Sequence, residues 1–177
     1  MITPTRPNSS EYAPYFETYI SLVTEPDIMA ALQSQLSSSQ MLSQYITGEM
    51  ETQLHAPYTW TIRQVVGHMI DTERIFAYRA LRFATGDKTP VPGFDQDAYV
   101  AATDYSQMPL RHLTEEFFAL RQTTLSLFSR FSEAGWNNIG EADGKPISVR
   151  AIAYVICGHV RHHLRIIEQR VTQAQNA

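Results

Sequence analysis

The chain has 177 residues, 44% of them apolar or aromatic and 18% charged, which is the size of one domain with a substantial core and excludes global disorder. Fourteen basic against eighteen acidic side chains leave a formal charge of −4 with histidine neutral, which argues against a broad phosphate-binding surface and hence against nucleic acid as a partner. The single cysteine, Cys157, excludes an intrachain disulfide framework.

Residues 1–11, polar and carrying Pro4 and Pro7, read as a loosely ordered lead-in to one domain spanning 1–177. They lack the apolar core of a signal peptide, and no run approaches the roughly 18 apolar residues of a membrane helix. The expectation is a soluble, cytoplasmic protein that does not engage a membrane. A short apolar segment follows at Tyr15, Phe16, Tyr19, Ile20 and Leu22.

Pro26 then suits the opening turn of a first helix, which continues through Ile28, Ala31, Leu32, Leu36, Met41, Leu42 and Tyr45 and stops near Gly48. A second helix opens on a capping box formed by Thr61 and Gln64, runs through Val65, Met69, Ile75, Phe76 and Phe83, and ends at Gly86. The third has an apolar seam at Leu110, Leu113, Phe117, Leu120, Thr124, Leu127 and Phe131, with Pro109 opening it and Gly135 closing it. Ser148 caps a fourth, which reaches about Val171. No alternating strand pattern of useful length appears. The fold class is therefore all-α, a four-helix bundle. The segment from Asp87 to Met108 is too long for a tight antiparallel turn, so the second and third helices are expected to run parallel, joined by a long crossover.

Three of the six histidines form a pattern. His159 and His163 stand four residues apart on the fourth helix, so both imidazoles project from one face at adjacent turns. That face also carries Ile152, Val155, Ile156 and Ile166, and His68 lies on the apolar side of the second helix with Val65 and Ile75. Burying imidazoles on apolar stripes costs free energy unless each finds a partner, and one divalent metal ion would satisfy all three. Hydrogen-bonded core histidines are the competing reading. His162 rivals His163 as a ligand; the i, i+4 spacing favours His163. Both Gly67-His68 and Gly158-His159 place a glycine beside a candidate ligand, where a neighbouring backbone can approach closely. His112 and His55 read as ordinary polar residues.

Val160 occupies the position where a zinc protease helix carries its glutamate base, so that motif is absent. Three neutral ligands leave coordination positions open and the ionic charge uncompensated, the form of a catalytic centre that acidifies a water or deprotonates a thiol. Asp71, one turn beyond His68, is the candidate to orient a ligand or act as a base, with an ordinary helical carboxylate as the alternative. Glu73 reads as the partner of an arginine, Arg79 as a solvent-exposed cation, and Cys157 as a packed thiol. A non-catalytic metal- or ligand-binding stress-response bundle is the alternative to an enzyme.

The segments Trp60–Arg74 and Gly158–His163, together with Pro92–Asp97, Arg121 and Ser148–Ala151, resemble the DinB/YfiT-like superfamily from about Tyr12 to Arg170. The resemblance implies an up-down-down-up bundle, often a homodimer, with zinc or nickel held by three histidines at positions matching His68, His159 and His163. It further implies a small-molecule substrate and either hydrolysis or transfer of a low-molecular-weight thiol such as bacillithiol or mycothiol. Val160 stands where many members carry an acidic residue.

Overall fold

The computed structural model describes residues 3–46, 48–54 and 57–175; His55 lies outside them. Seven helices and one hairpin follow in order: α1 Glu17–Ile20, α2 Ile28–Tyr45, α3 Ile62–Ala84, α4 Gln96–Ala102, α5 Leu110–Ser129, α6 Glu133–Asn137, the strands β1 Ile139–Ala142 and β2 Lys145–Ser148, and α7 Val149–Gln175. The long helices α2, α3, α5 and α7 are the bundle. Among the described residues no helix is long and apolar enough to cross a membrane.

Local chemistry sets where these helices begin. Asp27 accepts hydrogen bonds from the Met29 and Ala30 amides at 2.9 and 3.1 Å, so Asp27 caps α2 and Pro26 lies just outside it. The Thr61–Gln64 capping box forms reciprocally. Gly86, at φ +85°, ends α3 in the left-handed conformation a glycine adopts without strain. The Ser148 hydroxyl accepts from the Ala151 amide at 3.1 Å and starts α7.

Contacts between helices give the topology. Glu51 binds Arg63 at the start of α3 and the Leu110 amide at the start of α5. Further along both helices Arg74 meets Glu116, and Glu73 meets Arg121, so α3 and α5 are parallel. Ile46 packs with Leu110 and Leu113 while Leu32 and Gln35 meet Arg121, which sets α2 antiparallel to α5. His68 meets His159, and Phe83 meets the hairpin that precedes α7, which sets α7 antiparallel to α3. The order is up-down-down-up. The crossover carries α4 and is stitched to the hairpin where Val91 exchanges backbone hydrogen bonds with Glu141 and Asp143 at 3.0 Å.

The core divides into two apolar clusters. One gathers Phe76, Phe83, Trp136 and apolar α7 residues up to Cys157; the other gathers Val65, Val66, Met69, Ile70, Phe117, Val160 and Ile167. A buried polar layer lies along the seam between them, containing His68, Thr72, Glu73, Gln35, Arg121 and His159. Glu73 and Arg121 form a bidentate ion pair at 2.8 Å in that layer, the arginine partner expected of Glu73.

Three sequence expectations need correction. The hairpin is a two-stranded antiparallel element that the sequence reading omitted; strands of four residues are too short to show alternation, although Asp143-Gly144, both at positive φ, are the turn residues such a hairpin requires. Gly135 does not close the third long helix. That helix stops at Ser129, and Ser132 caps the separate short helix α6, which delivers Trp136 to the core at 1% exposure. Nor are residues 3–11 loose. Arg6 donates to the Ile20 and Val23 carbonyls, and buried Glu11 accepts from the Ser148 hydroxyl at 2.8 Å, from Arg150 Nε at 2.7 Å and from the Asn8 amide.

Burial raises the Glu11 pKa, but these hydrogen bonds outweigh it and bring it from 4.5 to about 2. The folded pKa is depressed, so the contribution is complete above the unfolded value and is lost as pH falls from about 4.5 to about 2. Glu11→Gln is expected to cost up to about 3 kcal/mol at pH 7, at ~1.4 kcal/mol per unit. Thermal unfolding of the two proteins should converge across that acid window. A constant gap would remove Glu11 as the cause.

Candidate metal centre

Because α3 and α7 are antiparallel neighbours, a ligand on the first can meet an i, i+4 pair on the second. His159 Nε2 lies 3.0 Å from His68 Nε2 and 3.0 Å from His163 Nε2, and the three candidate nitrogens all fall within 4.8 Å of one another. His68 and His159 are buried, and His163 is half-buried. Two glycines let other elements pack closely on the helices that carry the histidines. A Cβ on Gly158 would overlap the Tyr19 carbonyl of α1, and one on Gly67 would overlap the ring of Tyr105. The Tyr105 ring ends a movable side chain, whereas the Tyr19 carbonyl is backbone. Gly158→Ala is therefore expected to destabilise by roughly 1–3 kcal/mol despite its better helix propensity, and Gly67→Ala by less. Denaturant unfolding of the two variants reads the order directly.

Burial pushes all three imidazoles away from the charged form. His68 falls to about 4 and His163 to about 3, in both cases chiefly by desolvation. His159 falls well below its ordinary value through desolvation and then through the neighbouring histidines. All three are neutral at pH 7. Neutral imidazole carries one N–H and one in-plane lone pair, so His159 Nε2 can make one good hydrogen bond to a neighbouring Nε2 but not two. One ion satisfies all three nitrogens, and donors about 2.0–2.1 Å from a common ion stand roughly 3 Å apart. The residues present fit a divalent cation, and among the described residues no carboxylate or thiolate joins the group.

Aromatic rings and two clefts surround the cluster. Trp60 packs on His68 at a centroid distance of 4.9 Å, and Tyr19 packs edge-on to His159 at 5.3 Å. The Thr72 hydroxyl stands 3.5 Å from His68 Nδ1. A cleft of about 220 Å³ reaches His68 and His159 past Tyr19, Thr72, Phe76 and Phe94. A second cleft of about 230 Å³ reaches His163 beside Tyr58, Trp60 and Arg170.

The other sequence candidates sort clearly. Asp71 turns away from the cluster, its carboxylate held by Arg74 at 3.2 Å and by the Tyr105 hydroxyl at 3.3 Å, because position i+3 falls on the flank of α3 facing the crossover. Thr72 stands beside His68, and Asp71 has the contacts of an ordinary helical carboxylate, the alternative the sequence left open for it. His162 packs against Tyr19 and His163 outside the cluster, and His112 is exposed. Cys157 is fully buried, and desolvation raises its thiol to about 11. Val160 is buried in the apolar cluster. Arg79, expected in solvent, is only 5% exposed; the crossover covers it through Phe94 and the Pro92 carbonyl. The sequence signal for the cleft wall is the spacing of His68, Thr72, Phe76 and Arg79, which step by four, four and three along one face of α3.

Fold and site together define a class of protein: an up-down-down-up four-helix bundle in which three histidines from two antiparallel helices meet at one point. The profile of the DinB superfamily matches residues 21–167, and the chain belongs to that superfamily. A curated protein of Oceanobacillus iheyensis, provisionally named a metal-dependent hydrolase, is 26% identical over 152 residues, covering 82% of this chain and 86% of that protein. The solved structure of YfiT from Bacillus subtilis, provisionally described as a metal-dependent hydrolase with an unusual four-helix bundle topology, matches with a TM-score of 0.73 at 16% identity, covering 96% of this chain and 93% of that one. At that identity the second likeness is one of fold.

Proposed function

We propose that this protein is a metal-dependent enzyme in which His68, His159 and His163 hold a divalent ion, zinc or nickel, beside a small-molecule cleft. The observation that carries the reading is the convergence of three neutral imidazole nitrogens that cannot all hydrogen-bond to one another. The provisional names of the Oceanobacillus iheyensis and Bacillus subtilis proteins support a metal-dependent function. When bound, the ion supplies Lewis acidity that activates a water or a low-molecular-weight thiol for attack on a small electrophile. Trp60 and Tyr19 fix the imidazole planes, Phe76 and Phe94 shield the cleft from bulk water, and Gly158 lets α1 close over the cluster. Two clefts reach the histidines from different sides, which supports a reaction of two substrates, a thiol and its acceptor, over simple hydrolysis.

Elemental analysis of untagged protein is expected to find about one divalent ion per chain, as one three-nitrogen site implies. A panel of low-molecular-weight thiols with alkylating electrophiles, run beside thiol-free ester hydrolysis, should show turnover that disappears with His68→Ala. Substoichiometric metal unaffected by His68→Ala would overturn the metal site. Full metal occupancy without turnover in either assay would favour a binding protein instead.

A further inference from the structure

The second wall of the cleft at His68 and His159 carries a cation that the metal reading leaves unused. Arg79 is 95% buried by its 5% exposure, yet it makes one hydrogen bond, from Nη2 to the Pro92 carbonyl at 2.9 Å. Its guanidinium lies 5.0 Å from the centre of the Phe76 ring and 5.8 Å from that of Phe94. Four other arginines withdrawn from solvent are matched to acids: Arg121 to Glu73, Arg63 to Glu51, Arg150 to Glu11 and Arg161 to Glu25. Among the described residues no carboxylate lies within ion-pair distance of Arg79. Asp143 acts on it electrostatically but sits exposed on the hairpin turn. A buried guanidinium without a carboxylate is costly to maintain, and its free donors form a planar fork matched to an oxyanion.

We propose that Arg79 is the anion-recognition residue of this cleft and that the substrate is a small carboxylic acid, its carboxylate on Arg79 and its reacting end at His68 and His159. This rests on the metal-dependent reading for the reacting end only. The charge at the far end from the histidines suits a carboxylate. Apart from any ion held by His68 and His159, Arg79, Lys145 and Asp143 give that part of the cleft wall a single positive charge, which matches a monoanion. The spacing sets the shape. His68 and Arg79 are three turns apart on α3, about 16 Å of helix axis at 1.5 Å per residue, and the arginine side chain shortens that span by tilting toward the helix start. The cleft between them is walled by Thr72, Phe76 and Phe94, so the body linking the two ends is apolar and several bonds long.

Calorimetric titration with 4-phenylbutyrate, hexanoate and phenylacetate, each paired with its primary amide, tests this on metal-loaded and on chelator-treated protein. The acids are expected to bind about tenfold or more tightly than the amides in both metal states, a preference that Arg79→Met abolishes and Arg79→Lys reduces. Methionine keeps the apolar stem packed against Phe76, and unchanged melting temperature and metal content identify a folded variant. An acid preference that survives Arg79→Met overturns the proposal. A preference that vanishes on chelation places the carboxylate on the ion and also overturns it. Displacement of 4-phenylbutyrate by inorganic phosphate at concentrations where acetate has no effect would reassign Arg79 to phosphate. Binding weaker than about 10 mM for all three acids would remove the carboxylate class. Arg79-dependent acid binding in a chain that holds no metal would sink the catalytic reading and leave this one standing.

Discussion

Arg121→Met is expected to destabilise the protein by about 3–5 kcal/mol, because it strands the Glu73 carboxylate in the interior. Arg121 is wholly buried and Glu73 is 2% exposed. The guanidinium places Nε and Nη2 on the two carboxylate oxygens at 2.8 Å, donates Nη1 to Gln35 Oε1 at 2.5 Å and to the Leu32 carbonyl at 3.1 Å, and lies over the Phe117 ring. It therefore ties α2, α3 and α5 together at the level where the two apolar clusters meet. For a chain of this size a loss of that order lowers the melting temperature by roughly 10 °C, which scanning calorimetry would register. The double variant Glu73→Leu/Arg121→Met is expected to recover part of the loss, since removing both charges removes the stranded one. Recovery stays partial because Gln35 Oε1 then lacks its donor, a penalty of about 1–3 kcal/mol for a buried polar group. A double variant as unstable as the single one would show that packing, not charge, holds this layer.

Gln35 also links that layer to the candidate site. Its Nε2 donates to the Cys157 carbonyl at 2.8 Å, two residues before His159. His159 and His163 thus sit on a helix tied to the buried ion pair, and not on a loop. Such a supporting shell keeps a site within tolerance of its working geometry.

What the sequence made legible follows from distance along the chain. The Thr61–Gln64 box and the Ser148 cap are exchanges over three residues, and the i, i+4 pair His159/His163 is a property of one helix. His68 could be joined to that pair because all three interrupt apolar stripes, and the parallel arrangement of α3 and α5 followed from the length of the crossover. The misses are non-local. Arg79 is buried by Phe94 and Pro92 of that crossover, Asp71 is held by Tyr105 of the same crossover, and Tyr19 reaches His159 only because Gly158 lets α1 pack against α7. No periodicity within α3 or α7 encodes those partners. The hairpin was missed for the opposite reason: its turn signal was present, but its strands were too short for a period to register.

His159→Ala is expected to abolish metal binding more completely than loss of either neighbour. Its Nε2 is the nitrogen within 3.0 Å of both others, so its removal leaves His68 and His163 on separate helices with no donor between them. Loss of even an outer partner of a metal ligand typically lowers affinity about 10–100-fold, and loss of the central donor should exceed that. The thermodynamic signature is separable from folding damage. At a free ion concentration near 100 times the dissociation constant, binding stabilises the folded state by about 2.7 kcal/mol. Chelation should then lower the melting temperature of the parent chain by roughly 5–10 °C. In His159→Ala the chelator should change nothing, whatever the variant's own stability. His162 and His112 supply the internal controls. His162 packs on Tyr19 outside the cluster and His112 is exposed, so both alanine variants should keep the ion and the chelator response. If His162→Ala loses the ion while His163→Ala keeps it, the pair on α7 is spaced by three residues and the ligand set must be redrawn.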